Sequence, residues 1–186
     1  MEADWEFEVG GDAPVIDARW PGLIDLQSTP DRAWDLPEVA HLPALAAALA
    51  KLNATSSPVW TSKCDVWAQL DLDACDPGEL DAPSGCFVHA MGCYIDLLPR
   101  SDQQWLLPAT AGDGCRMLCQ RLHDIPLRCC RADLVVRRAF LVPDRMDLGI
   151  TAYLTSCGAS QAEAARTLQT ALAGFADALC RPPTLE

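Results

Sequence analysis

Two stretches of this chain carry the same landmarks in the same order. Ile24-Asp25-Leu26 recurs as Ile95-Asp96-Leu97, and Pro58 to Val66, with Lys63 and Asp65, aligns with Pro126 to Leu134, with Arg131 and Asp133. A helical stretch lies between the landmarks in each case. Leu45, Leu49 and Leu52 of the first fall opposite Cys115, Cys119 and Leu122 of the second, and the offset drifts only from 71 to 68 residues along the unit. A repeated unit constrains architecture before chemistry, because two copies that bury equivalent faces pair about a pseudo-twofold axis.

Periodicity fills in the elements. The first fourteen residues are acidic, end in Gly10-Gly11-Asp12-Ala13-Pro14, and read as a loose arm or an edge strand. From Val15 to Leu26 apolar and polar residues alternate around Pro21-Gly22, which predicts a bent strand with one wet face. Leu42, Leu45, Leu49 and Leu52 recur at helical spacing within 37–52. Over 59–68 the alternation puts Trp60, Ser62, Cys64 and Val66 on one side and Thr61, Lys63, Asp65 and Trp67 on the other. A strand follows over 86–98, then the turn 99–102, a loop over 108–114 and a helix ending near His123. Strands are expected over 130–142 and 148–156 around a turn at Pro143-Asp144. Ser160, with Glu163 three positions on, forms a capping box for a last helix that presents Leu168, Leu172, Phe175 and Leu179 on one face.

This order predicts an α+β fold of ferredoxin-like type, βαββαβ with an extra C-terminal strand and helix. One domain is expected over 1–186, with repeat units at about 15–70 and 86–142 and a strand–helix extension at 147–181.

Charge and cysteine content bound the partners. A net charge of −12 opposes nucleic acid and anionic membranes, so neither is an expected partner. The longest apolar runs, such as Leu42 to Ala50, are far shorter than a membrane span, and the acidic start has no secretory signal pattern. The expected location is cytoplasmic, where the ten cysteines stay reduced and behave as small buried hydrophobes. Self-association or another protein is the expected partner, with a small anionic ligand as the further candidate.

No motif names an activity. Cys115, Cys119 and His123 form the nearest approach to a metal-ligand row, yet the two thiols occupy a buried helix stripe, where packing accounts for them. The acidic loop 71–81 offers Asp71, Asp73 and Asp76 but lacks the glycine and terminal glutamate of an EF-hand, and Asp76 is better placed to cap a turn begun by Pro77. Neither a metal nor a cofactor is expected. Nucleophile elbows, Walker loops and dinucleotide fingerprints do not occur in the sequence.

What remains is the face of the sheet without helices. A base and an acid two positions apart project from one side of a strand, and this happens twice, as Lys63/Asp65 and Arg131/Asp133. These four, with Asp25 and Asp96 nearby, are the candidate ligand-binding residues of a shared polar site. Tyr94 and Arg137 are expected on the same side, with Trp67 and Trp5 at its rim. The expected role is a small-ligand-binding or protein-interaction module. The alternative is acid–base chemistry on a small anionic substrate, with Asp25, Asp65, Asp96 or Asp133 as base and Lys63 or Arg131 holding the anion. The sequence singles out no catalytic residue.

Overall fold

The structure, a computed structural model, describes residues 1–100, 110–142 and 145–181. Six strands make one mixed sheet: β1 (Glu2–Glu8), β2 (Ile16–Asp17), β3 (Val59–Trp67), β4 (His89–Pro99), β5 (Cys130–Val142) and β6 (Arg145–Gly158). Their order is β1-β5-β6-β4-β3, and β2 pairs with β5 beyond the end of β1. The α-helices are α1 (Ala44–Asn53), α2 (Ala111–His123) and α3 (Gln161–Cys180), and 3₁₀ turns occupy Pro30–Asp35, Pro37–Ala40 and Leu72–Ala74.

The helices share one face of the sheet. Leu45, Leu49 and Leu52 of α1, Cys115, Cys119 and Leu122 of α2, and Leu168, Leu172 and Phe175 of α3 are buried in one cluster with alternate residues of β4, β5 and β6. The stripes expected from helical spacing are the stripes that pack. Truncating a side chain as large and buried as Phe175 in such a core costs about 3–5 kcal/mol.

Helix ends follow from local chemistry. Ser160 Oγ accepts from the Glu163 N–H at 3.2 Å, and Glu163 Oε2 accepts from the Ala159 N–H at 3.0 Å, which starts α3. Arg100 donates to the carbonyls of Asn53 and Ala54 at 2.8 and 3.1 Å, satisfying groups that the end of α1 would otherwise leave open.

The α+β class and the order of elements match the expectation, but the pairing departs from the ferredoxin-like one. β1 is an edge strand running parallel to β5, from Glu2↔Arg131 to Glu8↔Arg137. β4 and β5, joined through α2, both run antiparallel to β6, which lies between them. The strand read as an appendage therefore holds a central place, where the ferredoxin-like arrangement would put the first strand. β3 sits at the far edge, antiparallel to β4, so the first half builds no matching unit. Asp25 and Asp96, the first landmark of the repeat, lie on elements of different kind: a loop and the middle of β4. The physical reason is that a three-residue landmark carries no pairing information. The long β5–β6 hairpin zips along nearly its full length and claims the position beside β5.

The local corrections are smaller. Of the two readings of the first fourteen residues, the edge strand holds, as β1, whereas the bent strand expected over 15–26 shrinks to Ile16–Asp17. α2 begins at Ala111, inside the stretch read as loop. The turn Pro143-Asp144 and residues 101–109 lie outside the described residues.

Both ends of the helix-free face are roofed. At one end Ile16 and Ala18 pack on Trp60, Leu98 and Ala139. Gly149 makes the room, since a Cβ there would stand 2.9 Å from both Ile16 Cδ1 and Leu97 O. At the other end Leu80 packs on Ala90 and Cys157 and brings the loop after β3 over the sheet. A strip between the two roofs is left.

Candidate functional site

Side chains alternate along strands, so pairing converts sequence positions into cross-strand rows. Asp4, Asp133, Tyr153, Tyr94 and Asp65 are successive partners in one row across β1, β5, β6, β4 and β3. Arg131, Thr155, Gly92 and Trp67 form the next row on the same face. Because Gly92 leaves β4 bare opposite Trp67, the indole lies flat across that strand, with its Cε3 3.5 Å from the place a Cβ would take. It stacks on Tyr153 two strands away, with centroids 6.5 Å apart and planes 13° apart. Tyr94 completes the group at 5.7 Å from Trp67 and 6.0 Å from Tyr153. Such pairs each contribute about 0.5–1.5 kcal/mol beyond their burial.

Charges flank the rings. Arg131 bonds Asp133 at 2.6 Å and also lies 3.5 Å from Glu79 and 3.7 Å from Asp4, so one guanidinium faces three carboxylates. Burial pushes the Asp133 carboxyl up, and the Arg131 hydrogen bond pulls it back. On the other side of the tyrosines Arg137 grips Glu8 at 2.6 and 2.9 Å and donates to Thr151 Oγ1 at 3.2 Å and the Tyr153 hydroxyl at 3.0 Å. Thr151 in turn donates to Asp96 Oδ1 at 2.6 Å. Asp96 is only 6% exposed, and burial raises its carboxyl above the ordinary value against that hydrogen bond and the charges of Arg137 and Lys63. Burial, with Asp96 and Asp65 adding negative charge, pushes the Tyr94 hydroxyl up to about 12.

The six candidate residues separate into groups. Arg131 and Asp133 are bonded to each other, and Asp133 and Asp65 share a row with the two tyrosines between them. β5 and β3 are three strand spacings apart, roughly 14 Å, so Lys63/Asp65 and Arg131/Asp133 do not close into one shared polar site. Asp96 lies on the same face beside the tyrosines. Asp25 does not join them: it accepts from the N–H of Gln27 at 3.0 Å and the Ser28 hydroxyl at 2.7 Å, and the Ser28 bonds hold its carboxyl below the ordinary value.

A bulge in β3 explains where the alternation slips. The register shifts between Thr61 and Cys64. Before it Thr61 faces α1, where Asn53 Nδ2 donates to its hydroxyl at 2.7 Å, while Trp60 faces the other way. After it Cys64 and Val66 pack on the helix side. Asp65 and Trp67 are where expected, but Trp60 and Ser62 are on the face opposite to Cys64 and Val66. Trp5 is not at the rim either. It packs with the main core, edge-on to Phe7 at 5.6 Å.

Five contributors escaped the sequence reading: Tyr153, Thr151, Glu8, Asp4 and Glu79. The signal for two of them was there, since Thr151, Tyr153 and Thr155 alternate with Ile150, Ala152 and Leu154. Glu8 is placed only by the parallel pairing of an edge strand. Among the described residues no group of three or more His, Cys, Asp or Glu is placed to hold a metal ion, and Cys115 and Cys119 are buried. No helix among them is long and apolar enough to cross a membrane. Compared with protein families, curated proteins and solved structures, the chain matches none.

Proposed function

We propose that this protein is a binding module whose helix-free strip takes a positively charged group, such as an arginine- or lysine-rich segment of a partner protein. The observation that carries the reading is the row in which Asp65 and Asp133 bracket Tyr94 and Tyr153, with Trp67 stacked alongside. Aromatic faces attract cations, and carboxylates at both ends of the row add to that attraction. The two arginines beside the rings are engaged: Arg131 is outnumbered by its acids and Arg137 is held by Glu8. A second copy of the chain would bring the same acid-rich strip and a further charge of −12, so a basic partner suits this surface better than self-association through it.

Titration with an oligoarginine and an oligoglutamate peptide, followed by backbone NMR shifts, tests the reading. Oligoarginine is expected to shift residues of β3, β4 and β6 on the strip, and oligoglutamate none. Shifts scattered over the acidic surface, or a preference for oligoglutamate, would sink it.

A second reading, acid–base chemistry on the same strip, is favoured by one observation: Asp96 is a buried carboxylate with a raised pKa, linked through Thr151 to Arg137. Under it, Asp96→Asn abolishes turnover of a bound small molecule, monitored by mass spectrometry, without changing its affinity.

A further inference from the structure

Three thiols meet where β4, β5 and β6 share one end of the sheet. Cys129, just before β5, lies in thiol–thiol hydrogen-bonding contact with both Cys86, in the loop before β4, and Cys157 of β6. The backbone holds them there from two sides. The Cys157 N–H donates to the Cys129 carbonyl at 2.9 Å, and the Val88 N–H, two residues past Cys86, donates to the Gly158 carbonyl at 3.3 Å. A third tie is the Arg128 guanidinium, which donates to both carboxylate oxygens of Asp81 at 2.6 and 2.9 Å. It fastens the loop that carries Cys86 to the residue before Cys129. Cys129 and Asp81 both adopt left-handed backbone, with φ of 61° and 48°, the only non-glycine residues among the described ones to do so. That conformation is unfavourable for residues with a Cβ, and such outliers gather at functional sites.

The three differ in access. Cys157 is buried in a cluster with Leu80, and burial pushes its thiol up to about 12, so it offers neither an approach nor a thiolate. Cys86 and Cys129 are both partly exposed. Burial, with Cys86 beside it, also raises the Cys129 thiol. Gly85, with φ of 84° and open space around it, leaves the loop room to carry Cys86 the short way from contact to bond.

We propose that Cys86 and Cys129 are a redox pair that hydrogen peroxide closes into a disulfide and a small thiol reopens. The Cys86 thiolate attacks one peroxide oxygen: an S–O bond forms, the O–O bond breaks, and the other oxygen leaves as hydroxide, which takes up a proton to become water. The Cys129 sulfur then attacks the sulfenic sulfur of Cys86. The S–S bond forms, the S–O bond breaks, and the hydroxyl leaves with the Cys129 proton as a second water. Two thiols lose two electrons in all, and one peroxide is reduced to two waters. Two equivalents of a small thiol restore both cysteines and leave as their own disulfide. The closed bond ties the loop 68–88 to the start of β5 and holds the Leu80 roof against the sheet. The pair uses no residue of the aromatic strip and stands whether or not the strip binds a basic segment.

Treating the native, reduced protein with a small molar excess of hydrogen peroxide, alkylating the remaining thiols and mapping cross-links by peptide fragmentation tests it. A Cys86–Cys129 disulfide within one chain is expected, reversed by dithiothreitol, while Cys64, Cys75 and Cys180, also partly exposed, stay unlinked. Cys129→Ser leaves Cys86 as a sulfenic acid that dimedone traps, and Cys86→Ser leaves Cys129 unlinked. The oxidised wild type melts at a higher temperature than the reduced form, a shift that both serine variants lack. The proposal is overturned if the folded wild-type protein gives no Cys86–Cys129 link, if the link that forms involves Cys157 or Cys75 or joins two chains, or if it forms only after denaturant is added.

Discussion

Tyr94 and Tyr153, the two tyrosines of the chain, are direct cross-strand partners on the helix-free face, with ring centroids 6.0 Å apart. Their pairing gives the strip its aromatic centre and makes one phenol a reporter of the site. In a Tyr153→Phe variant Tyr94 is the single phenol, and its ionisation is expected near pH 12 rather than at the ordinary 10.0. The folded state holds that proton more tightly than the unfolded chain. Its contribution to stability is therefore complete below pH 10 and is lost as pH rises toward 12. An absorbance titration with a midpoint near 10 in the folded variant contradicts the placement of Tyr94.

Asp96 provides the test at acid pH. Its carboxyl is raised by burial above the ordinary 3.8, so the stability it contributes is present below that value and declines as pH rises through the raised one. Asp96→Asn keeps an acceptor for the Thr151 hydroxyl and lacks the titration. Urea unfolding at a series of pH values should show the variant gaining on the wild type between pH 4 and neutrality. A difference that is flat or falls with pH contradicts the assigned direction.

Arg137 ties edge strand β1 to the sheet through Glu8 and holds the Tyr153 hydroxyl. With the guanidinium largely buried, its coupling to Glu8 should exceed the few tenths usual for exposed pairs and reach about 1 kcal/mol in an Arg137→Met/Glu8→Gln double-mutant cycle. Additive single-mutant effects would show that the pair does no more than decorate the edge.

The cysteines should divide by burial. Cys93, Cys115, Cys119, Cys130 and Cys157 are buried. Burial also pushes Cys93, Cys115, Cys130 and Cys157 to about 12 and Cys119 to about 11, so both access and thiolate are lacking. Thiol titration of the native protein should leave these five unreacted until denaturant is added. Rapid native reaction at Cys115 or Cys119 contradicts the packing of α2.

Local order was legible in the sequence where one face of an element is buried throughout. The leucine stripe of α1, the capping box of α3 and the strands β3 to β6 all come from periodicity, because burial on one side imposes it. Pairing was not legible: Ile24-Asp25-Leu26 and Ile95-Asp96-Leu97 are alike as letters, but Asp25 closes on Gln27 and Ser28 in a loop after the Pro21-Gly22 turn. The bulge in β3 was invisible because it changes side-chain parity without any distinctive residue. Asp65, Tyr94, Asp96, Arg131 and Asp133 were placed on the helix-free face by alternation alone. Trp67 was placed on the correct side, but its stacking on Tyr153 depends on Gly92 standing opposite it, a relation only the β3–β4 register supplies.

The most direct test of the binding strip separates aromatic recognition from bulk charge. Trp67→Ala leaves the net charge unchanged, whereas Asp35→Asn, on an exposed 3₁₀ turn away from the strip, reduces its magnitude by one. Oligoarginine affinity measured by titration calorimetry at near-physiological salt should fall roughly tenfold or more in Trp67→Ala and stay within about twofold of wild type in Asp35→Asn. Equal affinities for the wild type and Trp67→Ala would mean that the peptide reads only the charge of the protein, and that Trp67, Tyr94 and Tyr153 are not its site.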